Sequence, residues 1–289
     1  MINNLDKANI LNILRKTKRD AGYKLYDLVR IITRQNILSQ VVNEKEIRIV
    51  GLRRTGNHAI INWIRKQSTG KVMHLNNILV TENPYRFLYH HYPKDELKRE
   101  AIGDFVKKNC LLYNYEDYSL EEVNNPKFER NHDLYLGKSA VRYDIIILRD
   151  PFNLLASRLQ KNFITVKTPN ETVMSLWIAY AKEFLGETNY LKNNKICVNY
   201  NQWFLDLNYR HQIASQLRLE FTDAGIEQVK NYGGGSSFDG KGLDGQANQM
   251  DVLNRYKMFE NHADYQKLLN NKEVLEYSRR IFGDIGVVK

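Results

Sequence analysis

After Glu46 the sequence carries five short apolar runs separated by stretches with helical spacing. They are IRIV (Ile47–Val50), VMHL (Val72–Leu75), CLLYNY (Cys110–Tyr115), DIIIL (Asp144–Leu148) and KICVNY (Lys195–Tyr200). The runs are continuous rather than alternating, which predicts strands covered on both faces, as in a parallel sheet. Helices are predicted at His58–Gln67, Phe152–Lys161, Asn170–Gly186, Asn201–Leu217, Gln249–Glu260 and Lys272–Phe282. In the third, Met174, Trp177, Ile178, Ala181 and Leu185 share one face, and Asn170 is a suitable N-cap. Trp63 and Trp177 read as core. The alternation predicts an α/β fold: a doubly wound, mostly parallel sheet flanked by helices.

Ahead of this pattern, residues from Asn3 to about Gln40 read as a helical, basic extension. Leu5, Ile10, Ile13 and Leu14 form one stripe, and Leu25, Leu28, Val29 and Ile32 another. Lys16, Lys18, Arg19 and Lys24 lie between them. The expected arrangement is a helix packed on the main domain with its basic face in solvent; the alternative is a foot on an anionic membrane. The division is therefore a helical extension at 1–45 and an α/β domain at 46–289. Thr81 to Gly103 and Asp117 to Lys138 show no clear period. Glycine-rich Gly233–Gln246 reads as a mobile loop, with Asp239 and Asp244 forming turns rather than a calcium site.

The formal net charge of +10 points to an anionic ligand or partner. The basic residues are dispersed and no nucleic-acid-binding signature occurs, so nucleic acid is not the expected partner. Cys110 and Cys197 sit in apolar settings and read as buried free thiols, which suits a reducing cytoplasm. No apolar stretch is long enough to span a bilayer, and no metal-ligand spacing is found.

Two motifs carry chemistry. In GLRRTGNH, Gly51 and Gly56 have the spacing of a phosphate-binding P-loop, but Asn57-His58 replaces the Lys-Ser/Thr pair, so the Mg²⁺-holding hydroxyl is missing. What remains is an anion cradle of backbone N–H groups at a helix N-terminus, with Arg53 and Arg54 inside it. In LRDPFNLLASR, Arg149 ends a strand, Asp150-Pro151 opens a helix and Ser157 lies two turns in. Both motifs fall at strand carboxyl ends, where open α/β sheets bind ligands.

Together the motifs resemble the sulfotransferases that use 3′-phosphoadenosine 5′-phosphosulfate (PAPS), with a P-loop-like fold of sulfotransferase type. That family's 5′-phosphosulfate loop matches Arg54, Thr55, Gly56, Asn57 and His58, with Arg54 in place of its lysine. Its 3′-phosphate motif, an arginine followed eight residues later by a serine, matches Arg149 and Ser157. Tyr200 matches a tyrosine ending the next strand, Ser236-Ser237-Phe238 an adenine-contacting segment, and Arg255 a later arginine to the 3′-phosphate. The tryptophan that often stacks on adenine falls on Ala59, so the resemblance shifts that stacking to Phe238.

The resemblance implies transfer of a sulfuryl group from PAPS to an acceptor hydroxyl or amine, without a metal, releasing adenosine 3′,5′-bisphosphate. Arg54 neutralises charge but cannot donate a proton as lysine does. The base is assigned to Glu116, which follows the CLLYNY strand, with Glu82, His90, His91 and His132 as alternatives. The acceptor is a glycan or a small molecule; a glycan would suit a basic chain with 18 tyrosines. Two other readings stand beside this one: a kinase-like P-loop nucleotide enzyme, and a non-catalytic module for nucleotides or polyanions.

Overall fold

The computed structural model describes residues 4–33, 40–229, 236–240 and 242–285. In chain order the elements are α1 (Asn4–Thr33), β1 (Val41–Gly51), α2 (Asn57–Gln67), β2 (Val72–Leu75), α3 (Pro84–His91), α4 (Asp95–Ala101) and β3 (Lys108–Glu116). Three short helices follow, α5 (Leu120–Val123), α6 (Pro126–Arg130) and α7 (His132–Leu136), then β4 (Lys138–Leu148), α8 (Pro151–Leu159), α9 (Val173–Phe184) and β5 (Ile196–Asn199). The chain closes with α10 (Tyr200–Leu205), α11 (Leu207–Gln216), α12 (Ala263–Leu269) and α13 (Lys272–Phe282). The five strands form one sheet in the order β2-β3-β1-β4-β5, and every pairing is parallel. The fold is therefore α/β and doubly wound, with β1 at its centre and β3 and β4 on either side.

Strand periodicity builds two cores. Val50, Tyr113, Ile146 and Leu148 point to the face covered by α9 and its Trp177 and Tyr180. Ile47, Ile49, Ile145 and Ile147 point to the other, against Ile60, Trp63 and Ile64 of α2 and Ile213 of α11. Each such side chain contributes about 1.5–3 kcal/mol when fully buried.

β1 and β4 both run longer than their apolar runs, with β1 starting at Val41 and β4 at Lys138. Both strands also bury polar residues that find partners on neighbouring elements. Arg48 binds Asp144 through two bonds of 2.8 and 2.9 Å. Glu46 accepts from Tyr113 and His132, each at 2.8 Å, and from Arg142 at 3.2 Å. Charged residues occupy buried strand positions because each finds its opposite on a neighbouring element.

Three helix expectations are corrected. Thr172, not Asn170, caps α9 through a reciprocal bond with Ser175, while Asn170 takes a left-handed φ of 62°. The Asn201–Leu217 helix breaks at Asp206, whose side chain caps a second start at Asn208 and Tyr209. Gln249–Glu260 is not a helix but two short 3₁₀ turns, 247–249 and 255–259. There the Asn254 amide bonds Asp251, and Tyr256 N–H donates to Asn153, drawing the backbone away from a helical ladder. The stretches without clear period hold α3 to α7. The glycine-rich loop lies partly outside the described residues; Ser236 and Gly240 close a bridge within it.

Cys110 and Cys197 are free, Cys110 buried and Cys197 half-buried. No described helix is long and apolar enough to cross a membrane.

The Glu46–His132 pair gives stability a pH signature. Burial alone would lower the His132 pKa, but bonds to Asp133 and Glu46 outweigh it and hold the pKa near 9. Burial alone would raise Glu46, but His132, Arg142 and Ser139 bring it to about 2. The His132 contribution is full below about pH 6.5 and is lost as pH rises through about 9, on the order of 3 kcal/mol. The Glu46 contribution is full above about pH 4.5 and is lost as pH falls toward about 2. Denaturant melts should show His132→Asn flattening the alkaline decline; a wild-type slope retained in the variant contradicts this origin.

Candidate active site

A cleft of about 480 Å³ opens at the carboxyl ends of β1, β3 and β4, within the usual size range of ligand pockets. The β1–α2 turn, Glu116 and Arg149 all line it, one from each of those three strand ends.

The turn is tight and strained. Arg54 has a φ of 73° and Gly56 one of 92°. Gly56 sits at the N-cap position of α2, no side chain among the described residues caps that helix, and its positive end lines the cleft. A Cβ on Gly56 would lie 2.0 Å from the Tyr200 ring, so only glycine fits there. Thr55 does not line the cleft: its N–H and hydroxyl both bond Leu52 O, and the hydroxyl also donates to Asn57. The Asn57 amide in turn donates to Leu52 O and, at 3.0 Å, to Glu116 Oε1. His58 lines the cleft and bonds Asn76 at 3.0 Å.

Three arginines converge on this space. Arg54 Nε donates to Ser157 Oγ at 3.3 Å, joining the two motifs directly. Arg149 gives one bond to Arg54 O at 3.2 Å and another to Val252 O, while its buried Nε has no partner among the described residues. Its guanidinium lies 5.1 Å from the centre of the Tyr200 ring. Arg255 donates to Ser236 Oγ at 3.0 Å and pairs with Asp239. Burial, then the charges of Arg149 and Arg255, lower the Arg54 pKa to about 10, which leaves it protonated at neutral pH. Burial and then Arg149 lower Arg255 as well. Like charges held this close form a site with a deficit of negative charge.

Other sequence candidates lie elsewhere. Ser237 does not line the cleft; it bonds Ser157 Oγ at 2.7 Å from behind. Phe238 also stays outside it, 4.8 Å from the Arg255 guanidinium and against Phe259, so its stacking role is not supported. Of the five base candidates, Glu116 lines the cleft, whereas Glu82, His90, His91 and His132 do not. His132 is tied up with Glu46 among the leading strand halves.

Sequence reasoning missed Arg158, Asp117 and Lys167. Arg158 is fully buried and pairs with Asp117 at 2.8 Å, while also donating to the carbonyls of Arg53, Phe163 and Thr165. An arginine on the apolar α8 was the available signal. Lys167 donates to Asn77 at 2.6 Å. Burial and then Arg53 lower its pKa to about 8, partly opposed by Glu116 and Asp117. It belongs to a loop with no local signature. No cluster of three or more His, Cys, Asp or Glu able to hold a metal occurs among the described residues.

No protein-family model matches the sequence, and a search of curated proteins finds no match. Among solved structures, the chain is similar to the sulfotransferase domain of the Synechococcus PCC 7002 olefin synthase, at 11% identity and a TM-score of 0.46, covering 86% of this chain and 98% of that one. It is also similar to mouse sulfotransferase SULT7A1 complexed with PAP, at 12% identity and a TM-score of 0.39, covering 86% and 95%. Both likenesses are distant, and the fold assignment rests on strand order and register.

The contact between Gly56 and Tyr200 is testable without a ligand. Gly56→Ala should lose at least about 2 kcal/mol in chemical denaturation, from backbone strain and the clash. Combining it with Tyr200→Ala should cost less than the two single changes added; strict additivity would mean the two do not touch.

Proposed function

We propose that this chain is a sulfotransferase that uses PAPS and passes its sulfuryl group to an acceptor hydroxyl or amine. The carrying observation is the convergence of Arg54, Arg149 and Arg255 with an uncapped helix N-terminus in one cleft at the sheet's carboxyl edge. The residues fit a doubly anionic nucleotide: the buried Arg149 Nε has no partner among the described residues, and the Gly56 turn has no room for a side chain. In this reading Arg149 and Ser157 hold the 3′-phosphate, with Arg255 and Ser236 beside them. Arg53, Arg54 and the N–H groups of Gly56 and Asn57 hold the 5′ end. PAPS bound there supplies an activated sulfuryl group.

The chain's own residues position and neutralise. Arg54 offsets charge gathering on the departing phosphate oxygen. The Glu116 Oε1 is fixed by Asn57 at 3.0 Å and by Asn114 at 3.5 Å, which leaves Oε2 to take the acceptor's proton. A sugar hydroxyl is the favoured acceptor class: Phe163 lines the cleft with an exposed ring, and the Arg53 guanidinium lies 5.8 Å from its centre. Such an aromatic face and cation suit an acidic sugar.

Calorimetry with adenosine 3′,5′-bisphosphate, with and without EDTA, tests the reading, and unchanged binding in EDTA is expected. No binding would overturn it. Magnesium-dependent ATP binding would favour the kinase-like alternative, and binding without transfer to any acceptor the non-catalytic one. Arg149→Ala should weaken adenosine 3′,5′-bisphosphate about 10–100-fold while changing AMP little, because charge-assisted bonds are worth about 1.5–3 kcal/mol. Equal weakening of both rejects the assignment of Arg149.

Glu116→Gln should lower turnover about 10²–10⁴-fold while sparing nucleotide affinity. Near-normal turnover removes Glu116 from the role.

A further inference from the structure

α1 docks on the domain with its polar face and turns its apolar face outward. The docking face is built from Tyr23, Asp27 and Arg30. Asp27 takes both Arg86 bonds, at 2.8 and 2.5 Å, and the Arg86 guanidinium lies 4.3 Å from the centre of the Tyr23 ring. Arg30, only 4% exposed, donates to Leu134 O at 3.1 Å and lies 5.0 Å from the Phe105 ring centre. Gly103 leaves the room for it, since a Cβ there would meet the Arg30 guanidinium at 1.9 Å. The helix is packed on the domain with Lys16, Lys18, Arg19 and Lys24 in solvent, but the face that docks is polar and the apolar stripe is in solvent as well. Leu5 and Ile10 have side chains outside the described residues, but Ile13, Leu14, Leu25, Leu28 and Ile32 are each 53–68% exposed.

At about 100° per residue, those five fall within an arc of roughly 120°, on the side away from the docking face. Lys18 lies just outside one edge and Lys24 just inside the other, and Arg15, Lys16 and Arg19 continue around the exposed surface. An apolar arc bordered by lysines is the pattern of a helix lying in a lipid interface. A second copy of the same helix would set these cations against identical cations, whereas an anionic bilayer offers the opposite charge and an apolar interior. We propose that the outward face of α1 rests on an anionic lipid bilayer, with Leu14, Leu25, Leu28 and Ile32 entering the acyl boundary and Lys18 and Lys24 meeting the headgroups.

The test is co-sedimentation of the full chain with vesicles of phosphatidylcholine alone and of phosphatidylcholine mixed with phosphatidylserine, and it needs no nucleotide. Binding to the mixed vesicles should be at least about tenfold stronger than to phosphatidylcholine, and should weaken with salt. The triple variant L25E/L28E/I32E should lose at least about tenfold in binding with an unchanged melting temperature, because its side chains are exposed. The charge variant K18E/K24E should lose the preference for phosphatidylserine. The proposal is overturned by absence of wild-type binding, by equal binding to both vesicles, or by a triple variant that binds like wild type. It is overturned equally if sedimentation velocity shows a wild-type dimer that the triple variant abolishes, since a second copy then covers the face.

Discussion

A fully buried ion pair between Arg158 and Asp117 holds the cleft together. Asp117 follows β3, takes a left-handed φ of 64°, and also accepts the Arg53 N–H at 2.9 Å. Arg158, from α8, adds bonds to the Arg53 carbonyl and to the segment at Phe163 and Thr165. One pair thus ties the ends of β1 and β3 to the helix after β4. Leaving either charge alone inside the protein costs about 3–5 kcal/mol, so the pair resists opening. Its further bonds satisfy the guanidinium, which is the condition under which a buried charge is tolerated.

Around that clamp the cleft carries more positive than negative charge. Arg54, Arg149 and Arg255 press on one another, and among the described residues Glu116 is the carboxylate that lines the same space. Such crowding is unfavourable in the isolated protein and is relieved when an anion enters. Arg54 and Asp117 take left-handed backbone conformations in the loops that border this space. At the leading ends of the strands the opposite holds, since Arg48, Glu46, Asp144 and His132 are mutually compensated. Compensated charge therefore lies on one side of the sheet and crowded positive charge in the cleft at the other.

Much of this was legible in the chain. The continuous apolar runs located all five strands, because a two-sided parallel strand needs no polar alternation. Their extensions escaped detection because Asn43 and Glu46 are polar residues whose burial depends on partners about a hundred positions away. The turn at Gly51–Gly56 and the start of α8 at Asp150-Pro151 were legible because glycine, proline and capping chemistry act over a few residues. Arg158 carried one signal, its place in the apolar α8, but not its partner Asp117, and Lys167 is not distinguished by its neighbours in sequence. The inverted seating of α1 was also hidden: periodicity identifies an apolar face but not what it meets.

The sequence by itself determined the strand runs, the longer helices, and the placement of a glycine turn and an arginine at strand ends, all of which follow from local sterics and hydrophobic spacing. Only the tertiary structure decided which ionisable groups share a cleft. It set Glu116 beside Asn57 and Arg54 beside Ser157, and it kept His132 and Phe238 away. The physical reason is range: backbone preference and periodicity act within a turn or two, whereas charge coupling and burial depend on distances that exist only once the sheet has formed.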